Sequence, residues 1–221
     1  ICVGVLMSRR PPGSTRCPDA TLFRYKLRQI RNGRPSAPHC ATEPLRDLQC
    51  RRTGSPGVTE RKKAVAARFD SAHDYDAAAR IQKLCVDILA RKIALTYAQT
   101  PPRHILEFGC GTGALTEALS HLFPEAEIEA IDLSPHMIAR AQARIPSARF
   151  AIMDAERPQL SRSYDLICSS LCLQWFTDRA QGLARLSRHV APGGRMMIAT
   201  LAERSFQEWR AACAAARVPC Q

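Results

Sequence analysis

The chain reads as an α/β domain: a doubly wound, mostly parallel, Rossmann-like sheet. Three observations predict this. Residues 104–116, HILEFGCGTGALT, run from a short apolar stretch into three glycines at alternate positions and then into helix formers. Further strand-like runs recur at 127–132 (EIEAID), 149–153 (RFAIM), 164–170 (YDLICSS) and 195–200 (RMMIAT), with helix-compatible stretches between them. The 164–170 run is apolar without alternation, as a parallel strand covered on both faces is. Strands alternating with helices build a parallel sheet with a helical layer on each side.

Ahead of the first strand, residues 60–96 read as helix, with Val65, Phe69, Ile81, Leu84, Ile88 and Ile93 giving a broken apolar period. A turn is expected near residues 71–74. At the glycines, a strand-to-helix turn this tight needs positive φ or bare backbone, and a ligand lying on it leaves no room for a Cβ. Gly109, Gly111 and Gly113, followed by Ala114, satisfy the G-x-G-x-x-G/A fingerprint. They indicate nucleoside binding without deciding between a nicotinamide cofactor and S-adenosylmethionine. The second strand ends on Asp132, 19 residues beyond Gly113, where an acid can accept both ribose hydroxyls. Ser134 is placed to cap the next helix and Pro135 suits its first turn. The third strand delivers Asp154-Ala155, where a carboxylate and a neighbouring amide can hold an adenine edge, though a solvated turn aspartate reads the same way.

The fourth strand runs into Leu171-Cys172-Leu173-Gln174-Trp175-Phe176. Ligands bind outside the carboxyl ends of parallel strands, so this segment should line a reaction pocket. Phe176 reads better as a core aromatic beneath the following helix, expected over 178–189. Pro192-Gly193-Gly194 reads as a tight turn into the fifth strand.

Taken in order, EFGCGTG, AIDLSPHMI, DAE, YDLICSSLCLQWF and PGGRMMIATL resemble a class I S-adenosylmethionine-dependent methyltransferase. More narrowly, AARFDSAHDYDAAARIQ at 66–82, the LQWF run and the segment 200–209 resemble malonyl-[acyl-carrier protein] O-methyltransferase of biotin synthesis. The likeness spans about residues 63–221. It implies that Gly109, Gly111 and Gly113 pass the methionyl part of S-adenosyl-L-methionine and that Glu107 supports their loop. It implies Asp132 on the ribose, Asp154 with Ala155 at the adenine, and Tyr75 and Gln82 closing the methionyl end. Leu173, Gln174, Trp175 and Phe69 would form the substrate pocket. The implied partner is an acyl carrier protein bearing a malonyl thioester. Another small-molecule carboxyl or hydroxyl methyltransferase, and a non-catalytic S-adenosylmethionine-binding assembly factor, are the alternatives.

The expected chemistry needs no catalytic side chain. A malonyl carboxylate already carries its nucleophilic electron pair, so positioning replaces general-base catalysis, and no Ser/His/Asp arrangement can be read from the sequence. A nucleic-acid base as acceptor is disfavoured, because Ser169-Ser170-Leu171-Cys172 stands where amino-methylating enzymes carry Asn/Asp-Pro-Pro-aromatic.

Composition divides the 221 residues in two. Residues 1–57 hold seven of the fifteen prolines and show no sustained period; they read as a disordered basic arm. Through Lys62 there are 13 Lys/Arg against 4 Asp/Glu, a net of +9, whereas the remainder carries 19 against 16, a net of +3. Most of the +12 therefore lies in the arm and says little about the partner of the domain at 58–221. The arm is read as upstream sequence ahead of a native start near Val58, with a nucleic-acid-binding tail and a targeting peptide as alternatives. At the other end the domain reads as incomplete after the fifth strand, leaving that strand an open apolar edge. The ten cysteines include no C-x-x-C pair and read as reduced structural thiols in a cytoplasmic protein, with no metal site. No apolar run approaches the roughly 18 residues needed to span a bilayer.

Overall fold

A computed structural model of the chain describes residues 2–10, 21–26, 42–44, 58–70, 79–201, 205, 211 and 214–215. The elements run β1 (Cys2–Arg9), β2 (Thr21–Lys26), β3 (Thr42–Pro44), α1 (Val58–Asp70), α2 (Arg80–Thr96), β4 (His104–Phe108) and α3 (Ala114–Leu122). They continue with β5 (Glu127–Asp132), α4 (Pro135–Arg144), β6 (Arg149–Ile152), β7 (Tyr164–Ser170), a 3-10 turn (Leu173–Trp175), α5 (Arg179–Ser187) and β8 (Val190–Leu201).

All eight strands form one sheet in the order β3-β2-β1-β8-β7-β4-β5-β6. The five from β8 to β6 are parallel, as the alternation of strands and helices predicts. The chain adds β5 and β6 on one side of β4 and then returns to place β7 and β8 on the other. The sheet's period of two sorts neighbouring residues onto opposite faces. Ile105, Leu166 and Met197 join Leu89, Ile93, Leu115 and Leu119 of α2 and α3 in one core. Leu106, Ile167 and Met196 join Leu186 of α5 in the other. At about 25 cal/mol per Å² of apolar surface buried, these two layers are the main stabilising term.

Helix ends follow local chemistry. Ser134 Oγ accepts from the Met137 amide at 3.1 Å with Pro135 in the first turn, as the sequence predicts. Asp178 caps α5 by accepting from the Gln181 amide at 2.9 Å.

Two expectations need correction. Pro192-Gly193-Gly194 is not a turn between elements: it lies inside β8, where the register against β7 slips from Tyr164–Val190 to Leu166–Arg195. The slip is a bulge whose Gly193 takes φ +81°, and a Cβ on Gly194 would lie 2.9 Å from two backbone carbonyls. Nor is the arm without structure where it is described. β1 pairs antiparallel with β8 from Val3–Leu201 to Arg9–Arg195, and β2 and β3 follow it outward. The edge of β8 is therefore covered. The reason is local: Cys2 to Met7 is an apolar run rich in strand formers, and Val5 is fully buried in the α2/α3 core. Arg10 finishes the seam, donating from Nη1 to the Val190 carbonyl at 2.7 Å and exchanging backbone bonds with Gly193 and Gly194 across the bulge. Among the described residues no helix is long and apolar enough to cross a membrane.

If β1 completes the core, Val5→Asp buries an unpaired carboxylate and should cost at least about 2 kcal/mol in urea unfolding. An unchanged midpoint would mean that β1 contributes nothing to the fold.

Candidate cofactor and substrate site

The site is built where the order of the sheet reverses. β4 lies between β5 and β7, and the loop leaving its carboxyl end is drawn sideways over β5: the amides of Gly109 and Cys110 both donate to the Ile131 carbonyl, at 2.7 and 3.2 Å. That path requires positive φ at Gly109 (+66°) and Gly111 (+54°). The two differ in their surroundings. A Cβ on Gly109 would sit 2.3 Å from Cys172 Sγ, so the loop is pressed against the segment after β7, whereas a Cβ on Gly111 meets nothing within 4 Å. Gly113 packs on α4, with Ile145 Cδ1 2.6 Å from a would-be Cβ.

Asp132 fastens the loop. Its Oδ2 accepts from the Gly111 amide at 2.9 Å and its Oδ1 from the Ser134 amide at 3.0 Å, tying loop, strand end and helix start together. Asp132 lies on the cavity wall. Beneath the loop, Glu107 is 1% exposed and accepts from Thr116 Oγ1 at 2.6 Å. Burial pushes its carboxyl up to about 8, and the neighbouring Asp132 charge adds to the rise while the Thr116 bond opposes it. The thiols around the site are inert packing groups. Burial holds Cys110, Cys168 and Cys172 well above the ordinary cysteine range.

Two cavities meet at this loop and share Gly109, Gly111 and Ser170 in their walls. The larger, about 700 Å³ and open to solvent, runs past Asp132 and the 153–156 segment to Trp175. Helix α1 is its roof, contributing Lys62, Val65, Ala66 and Phe69. The roof is held at two points. Phe69 meets Trp175 edge to face, with ring centroids 5.6 Å apart, a favourable quadrupole geometry. Lys62 Nζ lies 2.5 Å from Asp154 Oδ2 and 2.5 Å from Glu156 Oε2. The smaller cavity, about 480 Å³, lies between α2 and the loop and is lined by Gln82, Lys83 and Glu107.

Most residues singled out in the sequence therefore converge. Gly109, Gly111, Asp132, Asp154, Ala155, Trp175 and Phe69 surround the larger cavity, and Glu107 and Gln82 the smaller. Leu173 and Gln174 do not line either one. The 3-10 turn points Leu173 into the core, and the Gln174 amide donates to the Leu171 carbonyl at 2.6 Å. Phe176 is core, tilted on Phe108 at 5.8 Å, and its edge also reaches the larger cavity. Tyr75 lies outside the described residues. Sequence reasoning misses Lys62, Glu156 and Ser170. The DAE run contains Glu156, but its partners are the amides of Thr177 and Asp178, at 3.0 and 2.7 Å, contacts that no local pattern announces. Ser170 Oγ is buried and has no hydrogen-bond partner among the described residues, on a wall common to both cavities. The next residue, Leu171, takes φ +55°, a strained value for a side chain of its size.

An open, doubly wound sheet with a glycine cradle at its switch point is the architecture of a nucleoside-cofactor fold, and residues 105–194 match the family described as a methyltransferase domain. The chain carries such a domain. It is 47% identical over 154 residues to the biotin biosynthesis bifunctional protein BioCD of Bordetella avium, an alignment covering 68% of this chain and 33% of that protein. Against the malonyl-[acyl-carrier protein] O-methyltransferase of Bacillus cereus the identity is 38% over 153 residues, covering 68% and 57%. The chain thus spans between a third and three fifths of the length of these relatives. Among solved structures, N-methyltransferase NodS from Bradyrhizobium japonicum, in complex with S-adenosyl-L-homocysteine, superposes with a TM-score of 0.55 at 20% identity, covering 68% of this chain and 78% of that one; it shows the shared fold.

The raised Glu107 carboxyl has a thermodynamic consequence. The folded chain holds a proton that the unfolded chain releases above about pH 4.5, so this contribution is complete at acid pH and is lost as pH rises from 4.5 towards 8. Glu107→Gln should flatten that decline in urea unfolding measured at pH 5 and pH 8. Equal declines in parent and variant would show that Glu107 is ionised in the fold.

Proposed function

We propose that the chain is an S-adenosylmethionine-dependent O-methyltransferase whose acceptor is the free carboxylate of a malonyl group carried as a thioester on an acyl carrier protein. The observation that carries the cofactor half is the glycine loop hung from Asp132 over β5, open at Gly111 and facing both cavities. The donor set fits the ligand. Asp132 presents its carboxylate to the cavity where ribose hydroxyls would lie, Asp154 with the buried Ala155 offers an acceptor and a flat apolar contact for a base, and Gln82 and Glu107 supply polar groups for a methionyl end. Bound S-adenosylmethionine would bring an electrophilic methyl group on a sulfonium.

The acceptor half is supported by the names of the relatives and by the chemistry of the walls. Among the described residues no histidine lines either cavity, and the thiols there are held protonated by burial. Such walls suit an acceptor that gives up no proton. The residues then bind, orient and exclude water, and orientation alone can be worth about 7–11 kcal/mol of a barrier. Ser170, with its buried hydroxyl between the two cavities, can donate to a carboxylate oxygen there, and the Phe69–Trp175 pair closes the apolar side. On the flanks of α1, Arg61, Lys63 and Arg68 are exposed and would steer an acidic carrier protein towards the roof.

The deciding experiment is transfer of labelled methyl from S-adenosylmethionine to malonyl-acyl carrier protein, after calorimetric titration of the cofactor. Binding with labelled product is expected; binding without turnover would shift the function to another acceptor or to an assembly factor, and preferential NADH binding would overturn the class. Gly111→Val should weaken S-adenosylhomocysteine at least about tenfold, by filling the cradle and by straining a left-handed backbone position, while far-UV dichroism stays unchanged. Retained affinity would remove the loop from the binding site.

A further inference from the structure

Among the described residues Lys62 joins the roof helix to the two carboxylates at the end of the larger cavity, and its placement is too specific for a surface lysine. Its side chain is 13% exposed, and lysine is almost never buried unless paired. Here it is paired twice. The two carboxylates differ in how firmly they are held. Glu156 is 5% exposed, and its Oε1 accepts the amides of Thr177 and Asp178, so its other oxygen has a fixed position. Asp154 is the freer of the two: Oδ1 accepts the Glu156 amide at 2.9 Å, and the orientation of Oδ2 is set by Lys62. Glu156 therefore anchors the ammonium, and the ammonium aims Asp154.

We propose that Lys62 is a positioning residue of the cofactor site, holding Asp154 Oδ2 on the cavity wall so that its remaining lone pair accepts the exocyclic amine of a purine, and that it thereby sets the preference for a 6-amino over a 6-oxo base. The proposal rests on the reading of Asp154 as the acid at the adenine. It goes further by giving base selectivity to a residue of α1, a helix 92 residues away in the chain. A bare strut would hold the roof equally well for any ligand. A positioning lysine discriminates between bases.

The test is calorimetric affinity for S-adenosylhomocysteine and for its 6-oxo analogue S-inosylhomocysteine, measured on the parent chain and on Lys62→Met, Lys62→Arg and Asp154→Ala. The parent should favour the amine by about tenfold, the worth of one hydrogen bond to a charged group. Lys62→Met should bring that ratio close to one, and Lys62→Arg should restore most of it, since a guanidinium can still bridge two carboxylates. If Lys62→Met is unfolded by circular dichroism, Lys62→Gln takes its place. Equal weakening of both ligands in the Met or Gln variant, with the ratio intact, makes Lys62 a strut and overturns the proposal; so does a ratio that grows, which would mean that the ammonium donates to the 6-oxo group. Asp154→Ala reports separately: a ratio that survives it refutes the adenine reading of Asp154. Failure of the parent to bind either ligand refutes the cofactor reading itself.

Discussion

The reversal of strand order at β4 is the constraint from which the rest of the molecule follows. With β5 on one side and β7 on the other, the helices that follow β4 and β7 pack on opposite faces of the sheet, and a crevice opens above the carboxyl ends of the strands. A backbone that bends into this crevice must satisfy its own amides. The glycine loop does so with the Ile131 carbonyl and the Asp132 carboxylate, both from the neighbouring strand. The cradle is thus a product of sheet pairing. Its glycines are needed because the path that reaches those acceptors passes through left-handed backbone.

The polar groups around the crevice fall into two kinds. Glu107 lies below the loop, desolvated, its charge suppressed and its oxygen held by Thr116. Asp132, Asp154 and Glu156 stand at the rim, and each has at least one oxygen held by backbone amides. Carboxylates tied down in this way are suited to holding a ligand in one place.

How far the sequence could be read depended on how local each cause was. The place of Asp132 at the loop was legible because it follows from a strand end at a set distance from the glycines, and that of Ser134 because a cap is a four-residue event. Phe69 and Trp175 were both identified, although their contact spans the chain, because each belongs to a recognisable run. Lys62 was not, since nothing in its own neighbourhood specifies partners at 154 and 156. The Pro-Gly-Gly segment reads as a turn by composition, and only the pairing of β8 with β7 on one side and Arg10 on the other makes it a bulge. The 1–57 arm misled for a related reason. Its average composition is that of a disordered segment, whereas the apolar run inside it, residues 2–7, is short enough to be lost in the average.

The seating of β1 against β8 also has a kinetic side. Residues 3–9 pair with residues 195–201, nearly the greatest separation the chain allows, and contacts of such range form slowly because a long loop must close first. On a ribosome β1 must wait for β8, about 10–40 s at ordinary rates of synthesis. Through that interval the edge of β1 that meets β8 is unpaired and Val5 is uncovered, an exposed edge of the kind chaperones bind. The β8-facing edge of β1 is therefore among the last parts of the sheet to be protected.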